Sequence, residues 1–448
     1  MAIIKFIVII AAAIWFVHAL LNKPKQIAIL LFVCVIADIN FDMPGMPLNF
    51  RSFVSIALLI KVLNDAKYVR FPPFLTTNYG ITILAFFAYA MATTFEHGLL
   101  TSGVVKEFLF TIVYAYLAYY FYLKEGGYKI FGTSLVIAGF SCFGDLIWTY
   151  MHGGELIIIR IYFSFTPAYT IFNHNFFGYI CAVTFVFLLS DYLADHGHKR
   201  NLYLMPFMFF GVLLSTSRSA LLILIIVAVV LIAKGLLSVK NSKKAYKLIV
   251  VTISCLVLAL FLFQLLNIVF HIDSKFLEVI TARLIDEPVA IFNRAMGNSF
   301  KAESLDSMDW RAKASEVAYN AYMKVMNSEE QVFGIGHEGF MARNYGDEGY
   351  DAHNGVLLMF IEFGAVGAVI YFSMLFSFIS RYWSFRIFSP VLVCLIYVML
   401  YITSHNRELV SGFVYLITGT LAAELRYISY AGEEFQPHEP VHISGNNI

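Results

Sequence analysis

Apolar residues fall in thirteen runs along the chain: 3–21, 26–40, 52–64, 78–95, 105–123, 130–151, 170–190, 202–216, 217–236, 248–270, 354–378, 388–404 and 411–424. A helix of about 20 apolar residues covers the roughly 30 Å of hydrocarbon in a bilayer. Lipid leaves backbone polar groups unsatisfied, so only helices or closed barrels span it, and runs this long exclude a barrel. The pattern predicts an all-α polytopic membrane protein of about 12–14 transmembrane helices. The runs 26–40 and 52–64 are short, and 202–216 abuts 217–236 around Ser215–Ser219. Those are the places where a broken or re-entrant helix is expected.

One polar stretch interrupts this alternation. Between Phe270 and His353 lie about eighty residues, too many for a simple connector. The expected division is therefore an N-terminal helix bundle over 1–270, a large loop over 271–352, C-terminal membrane helices over 353–425 and a polar tail over 426–448. Within the loop, Asp306 and Asp309 stand where a cap and first-turn acid would. Trp310, Ala314, Val317, Ala318, Ala321 and Val325 then form one apolar face, which predicts an amphipathic helix. A turn-rich stretch from Gly334 through Gly336 and Gly339 to Phe340 follows.

Charge sets the orientation. Lys23 and Lys25, Lys67 and Arg70, Lys124 and Lys129, Lys199 and Arg200, Lys240 to Lys247, and Arg381 and Arg386 occupy alternate loops, which favour the cytoplasm. The large loop falls on the opposite, periplasmic side, with Arg160, Asn175 and Arg218 near the same face. The run 3–21 has no small-residue cleavage site before Lys23 and Pro24 and is expected to be a retained first helix. Composition agrees, with 60% hydrophobic and 14% charged residues, and a net charge of +1 gives nucleic-acid binding no electrostatic support. The five cysteines all sit in apolar runs, so they read as core packing and offer neither a disulfide framework nor a zinc spacing.

Three groups stand out against this background. Arg218 directly precedes the apolar run 221–233. Because a mid-membrane arginine costs about 2.5–3.5 kcal/mol, it either faces an aqueous cavity or snorkels to the interface. Arg311 lies on the expected loop helix, with Arg283 as its nearest competitor, and loop arginines are commonly just solvated. His353-Asn354 opens the helix after the loop, where a histidine can serve as base or as cap. Glu362, deeper in that helix, is costly unless paired and is expected to have a structural partner. No Walker loop, dinucleotide fingerprint or metal motif is present. Two arginines and a histidine suit an anionic substrate that leaves as phosphate or diphosphate, with no metal and no cofactor required.

In this ordered set, Asn173-His-Asn175, Ser217-Arg218-Ser-Ala220, Asp309-Trp310-Arg311, Gly334-Ile-Gly336 with Phe340, and His353-Asn354 with Glu362-Phe-Gly364 and Gly367, the chain resembles the bacterial O-antigen ligase and polymerase superfamily. These are membrane glycosyltransferases that use undecaprenyl-diphosphate-linked glycans. The resemblance runs from about Tyr162 to Gly367 and implies a helical bundle with a lateral lipid-facing opening and a periplasmic cavity under the loop. It implies His353 as activating base and Arg218 and Arg311 as diphosphate ligands, with Arg283 and Arg294 as rivals for the loop role and His337 as a second candidate base. Arg283, His337, Asn354, Asn175 and Arg160 complete the expected substrate-binding set.

The implied activity is a polysaccharide polymerase in the bacterial inner membrane, acting on the periplasmic face. It would transfer glycan from an undecaprenyl-diphosphate-linked oligosaccharide donor to the hydroxyl of another lipid-linked repeat unit. Its partners would be donor, glycan acceptor, membrane lipid and a chain-length regulator. A ligase that transfers glycan to lipid A core is the near alternative. A lipid-linked sugar transporter or flippase would instead show inverted repeats and mid-helix polar residues, neither of which the sequence displays. A non-catalytic scaffold or receptor would leave the two arginines and the histidine unexplained.

Overall fold

The protein is described here from a computed structural model. The structure describes residues 16–39, 49–66, 74–151, 174–194, 198–215, 217–237, 242–250, 306–343, 354–385, 389–403 and 412–433. Among these, 89% are helical and none forms a strand. The helices are α1 (Phe16–Asn22), α2 (Pro24–Ile36), α3 (Phe50–Ala66), α4 (Asn78–Glu96), α5 (Ser102–Glu125), α6 (Lys129–Met151), α7 (His174–Leu193), α8 (Asn201–Ser215) and α9 (Arg218–Leu237). They continue with α10 (242–250), then α11 (Asp306–Asn320), α12 (Ser328–Phe333) and α13 (Gly339–Ala342) in the loop, and end with α14 (Gly355–Phe385), α15 (Pro390–Ile402) and α16 (Gly412–Glu433).

Eleven of the thirteen apolar runs fall largely on these helices, and most of the runs 3–21 and 248–270 lies outside the described residues. Five described helices, α4, α5, α7, α9 and α14, are long and apolar enough to cross a membrane, and α6, α8 and α15 are apolar over shorter stretches. The chain is a multi-pass membrane protein. Helices α1 and α2 meet at 116°, a broken span or re-entrant turn at the short run where one was expected. Caps set several of the ends. Thr77 and Thr101 accept from Gly80 and Val104 amides to start α4 and α5, Gly126 closes α5 in the left-handed region at φ 69°, and Ser389 with Pro390 starts α15.

The core is a helix-on-helix packing built on α5 and α16. A Cβ added at Gly419 of α16 would lie 2.1 Å from the Ala115 carbonyl oxygen of α5, so glycine is what lets these two backbones meet. Cys34, Cys142, Cys181 and Cys394 are buried, as core packing requires, while Cys255 lies outside the described residues.

The lysine-bearing ends come together in space. Lys25 pairs with Glu125, Lys124 lies 3.6 Å from Asp65, and buried Asp191 collects Tyr128 (2.7 Å), His198 (3.1 Å) and Asn201 (2.5 Å). Alternate loops thus share one end of the bundle, as the charge pattern predicts.

The loop helices do not form a separate globule. Ala318, Ala321, Met326, Ile335, Phe340 and Ile361 form a second apolar cluster, joined by Val317, Tyr322, Leu357 and Leu358. Of the predicted amphipathic face of α11, Ala314, Ala318 and Ala321 are buried and Val317 packs with them against the start of α14, while the Trp310 side chain lies outside the described residues. Val325 is the exception at 62% exposed, because the helix passes into a π-turn over Ala321–Val325 and the register rotates away. Helix α14 also departs from the continuous run read in the sequence: it is broken at Gly364 (φ 65°, ψ −177°).

Candidate functional site

Asn175 lies in the first turn of α7, and Arg218 is the first residue of α9. Gly178 brings these two helix starts together. A Cβ there would fall 2.3 Å from Ser215 Oγ and 2.9 Å from Ser217 Cβ, so only glycine lets the first turn of α7 lie against the α8–α9 turn. Helix α15 ties both starts from the other side, since Tyr401 Oη donates to the Asn175 carbonyl (3.1 Å) and Tyr397 Oη to the Ala220 carbonyl (3.0 Å).

Two N-terminal helix ends therefore sit side by side, with a half-buried arginine on one of them. The Ser217 hydroxyl next to Arg218 is buried and has no hydrogen-bond partner among the described residues. Such a concentration of donors and positive dipole favours an anion.

Asn354 marks the same end of the bundle, because α14 and α15 are joined by a short connection and Tyr401 lies at the far end of α15. Its Oδ1 accepts the Leu357 amide at 3.1 Å, which makes it the cap of α14. Arg311 is described only through the backbone of α11, where it falls one turn before Ala314 on the helix that packs against α14. His353, Arg160, Arg283 and Arg294 lie outside the described residues. Of the sequence-derived set, the structure brings Asn175 and Arg218 together and puts Asn354 at their end of the bundle.

His337 occupies a different setting from the other candidates. The Gly334-Ile-Gly336 turn enters the break in α14, where the Ile335 and Gly336 amides donate to the Ile361 (3.1 Å) and Glu362 (2.8 Å) carbonyls. Tyr89 Oη reaches the Phe333 (2.7 Å) and Phe363 (3.1 Å) carbonyls, and His97 Nε2 lies 3.1 Å from the Gly334 carbonyl. The His337 amide donates to Thr94 Oγ1 (2.9 Å). Its ring stacks on Phe363, with Nδ1 3.3 Å from Glu362 Oε2 and Nε2 3.8 Å from Glu107 Oε2.

Glu362 thus has the structural partner expected of it. Burial disfavours a charged imidazole, but hydrogen bonding and charge from Glu107 and Glu362 outweigh it and push His337 up to about 10. A histidine that holds its proton so firmly is a poor general base at neutral pH. Glu107, Tyr89, Thr94, His97 and Tyr401 all take part in these contacts and none stood out in the sequence. Gly334, Gly336 and Gly364, already present in the motif set, were the one signal pointing toward the docking. Among the described residues, no group of three or more His, Cys, Asp or Glu could hold a metal ion.

No match to the chain is found among curated proteins. Residues 203–372, from within α8 through the loop to the broken helix α14, match the O-antigen ligase family, which supports membership of the O-antigen ligase and polymerase superfamily and glycan transfer of that type.

Proposed function

We propose that the protein is a membrane glycosyltransferase of the polymerase kind, moving a glycan from an undecaprenyl-diphosphate-linked donor to the hydroxyl of another lipid-linked repeat unit on the periplasmic side. The observation that carries this reading is the meeting of the α7 and α9 starts at Gly178, where Arg218 and the buried Ser217 hydroxyl fall inside the region matched to the O-antigen ligase family. In this mechanism the acceptor oxygen attacks the anomeric carbon. The bond from that carbon to the diphosphate oxygen breaks, and the anomeric centre inverts. The electron pair leaves with the diphosphate, where Arg218 and the neighbouring helix amides hold the developing charge, with Arg311 as the second arginine. The acceptor proton passes to His353.

His337 does not serve as base in this scheme. The same reading places the lysine-rich end of the bundle in the cytoplasm and the loop in the periplasm.

A transporter would also use a broken helix, but one whose freed backbone groups face a cavity. Here the carbonyls freed at Gly364 are taken by the Ile335 and Gly336 amides.

The test is to give purified protein a lipid-linked oligosaccharide and examine the glycan length and the released undecaprenyl diphosphate. Longer glycan with release of the diphosphate is expected, at a rate unaffected by EDTA. Transfer to added lipid A core without lengthening would replace the polymerase with a ligase, and no transfer to either acceptor would overturn the reading.

A further inference from the structure

The contacts around Gly364 divide the molecule in a way that the chain order conceals. Ala318, Ala321, Met326, Ile335 and Phe340 of the loop form an apolar cluster with Leu357, Leu358 and Ile361 of the first part of α14, whose Met359 and Phe363 are buried in the main core instead. After the break, residues 365–385 run for roughly 30 Å at 1.5 Å per residue, enough to cross the hydrocarbon alone. The part of α14 that follows Asn354 therefore packs on both the loop and the main core, and the loop turn enters the helix at the Gly364 break.

Hydrogen bonds and ion pairs seat the loop unit on the bundle at one level. Tyr89, Thr94 and His97 of α4 and its end reach the stretch from Phe333 to His337. Arg343 pairs with Glu330 and lies 3.1 Å from His97 Nδ1, which closes the outer side. At the centre, His337 of the loop stands between Glu362 of α14 and Glu107 of α5, and no other described side chain is paired with both. Its ring also contacts Phe108 of α5 and Phe363 of α14.

We propose that His337, gripped between Glu107 and Glu362, is a positioning residue that locks the loop unit onto the outer ends of α4 and α5. It thereby fixes the helix bearing Arg311 and the helix start bearing Asn354 relative to Arg218. This role in catalysis rests on the glycosyltransferase reading above, whereas the locking itself does not.

The locking is tested by hydrogen exchange on the full chain in lipid nanodiscs, without substrate, for wild type, His337→Gln, Glu107→Gln and the double variant. His337→Gln is expected to raise exchange at least tenfold in peptides covering 333–343 and 357–364, while peptides from α7 and α9 stay at wild-type rates. Glu107→Gln, at a half-exposed carboxylate, should loosen the same peptides, and the double variant should be no looser than the worse single one. His337→Lys, which restores a cation, should recover part of the protection. In turnover of lipid-linked oligosaccharide, His337→Gln should lower kcat about tenfold with KM little changed. Unchanged exchange in both single variants, or loosening spread evenly through α7 and α9, would overturn the locking. Local loosening without any change in kcat would overturn the positioning role. If wild type itself turns over no glycan while the local loosening is seen, the glycosyltransferase reading fails and the lock stands.

Discussion

Gly334 and Gly364 face each other across the docking turn, and both adopt conformations that side chains rarely reach, φ 87° with ψ −179° and φ 65° with ψ −177°. A Cβ on Gly364 would also lie 2.3 Å from the Val332 carbonyl oxygen, and one on Gly334 2.3 Å from that of Glu362. Gly364→Ala is therefore expected to cost more than the 1–3 kcal/mol of backbone strain alone, read as a lowered thermal midpoint in nanodiscs. Gly126→Ala, left-handed but with open space around it, should cost only about 1–2 kcal/mol. Equal losses at the two sites would contradict the close docking. His337 adds a pH dependence. Its value is raised from 6.5 to about 10 in the folded protein, so its contribution to stability is complete below pH 6.5 and is lost as pH rises through 10. The difference in thermal midpoint between wild type and His337→Gln should shrink steadily over that window. A difference that widens with pH would refute the paired, protonated histidine.

At the scale of elements, the apolar runs were legible because membrane helices are written in hydropathy alone, and the loop helix because Ala314, Val317, Ala318 and Ala321 recur with helical spacing. The break in α14 was not legible. Gly364 sits in an unbroken apolar run, and what opens the helix there is a turn about thirty residues earlier in the chain. The pairing of His337 with Glu107 was hidden for the same reason, since Glu107 reads locally as an ordinary charge beside Lys106. The meeting of α7 and α9 was half legible: Arg218 stood out by its cost in lipid, but its neighbour Gly178 looks like any other helix glycine. Gly178→Val is expected to push the α8–α9 turn away and to lower turnover by at least tenfold while the helix content in circular dichroism is retained. Wild-type turnover in that variant would show that the contact of the two helix starts does not matter. Asn354→Ala removes a cap worth about 1 kcal/mol and should lower the thermal midpoint accordingly.

Over the whole molecule, a lipid-facing bundle carries a loop unit seated in the break of one of its own helices. The anion-favouring starts of α7 and α9 lie at the end of the bundle on which this unit is seated. On this account the bundle provides Arg218 and the α14 start, the loop unit provides Arg311, and catalysis requires the two to be held together. The most direct test is turnover of a lipid-linked oligosaccharide by purified wild type, Arg218→Ala and His353→Ala in nanodiscs, each matched for amount of folded protein. Wild type is expected to lengthen the glycan, and each variant should fall by about 10²-fold or more, as loss of a charge-stabilising group or a general base does. An active wild type whose two variants turn over at the same rate would contradict the account.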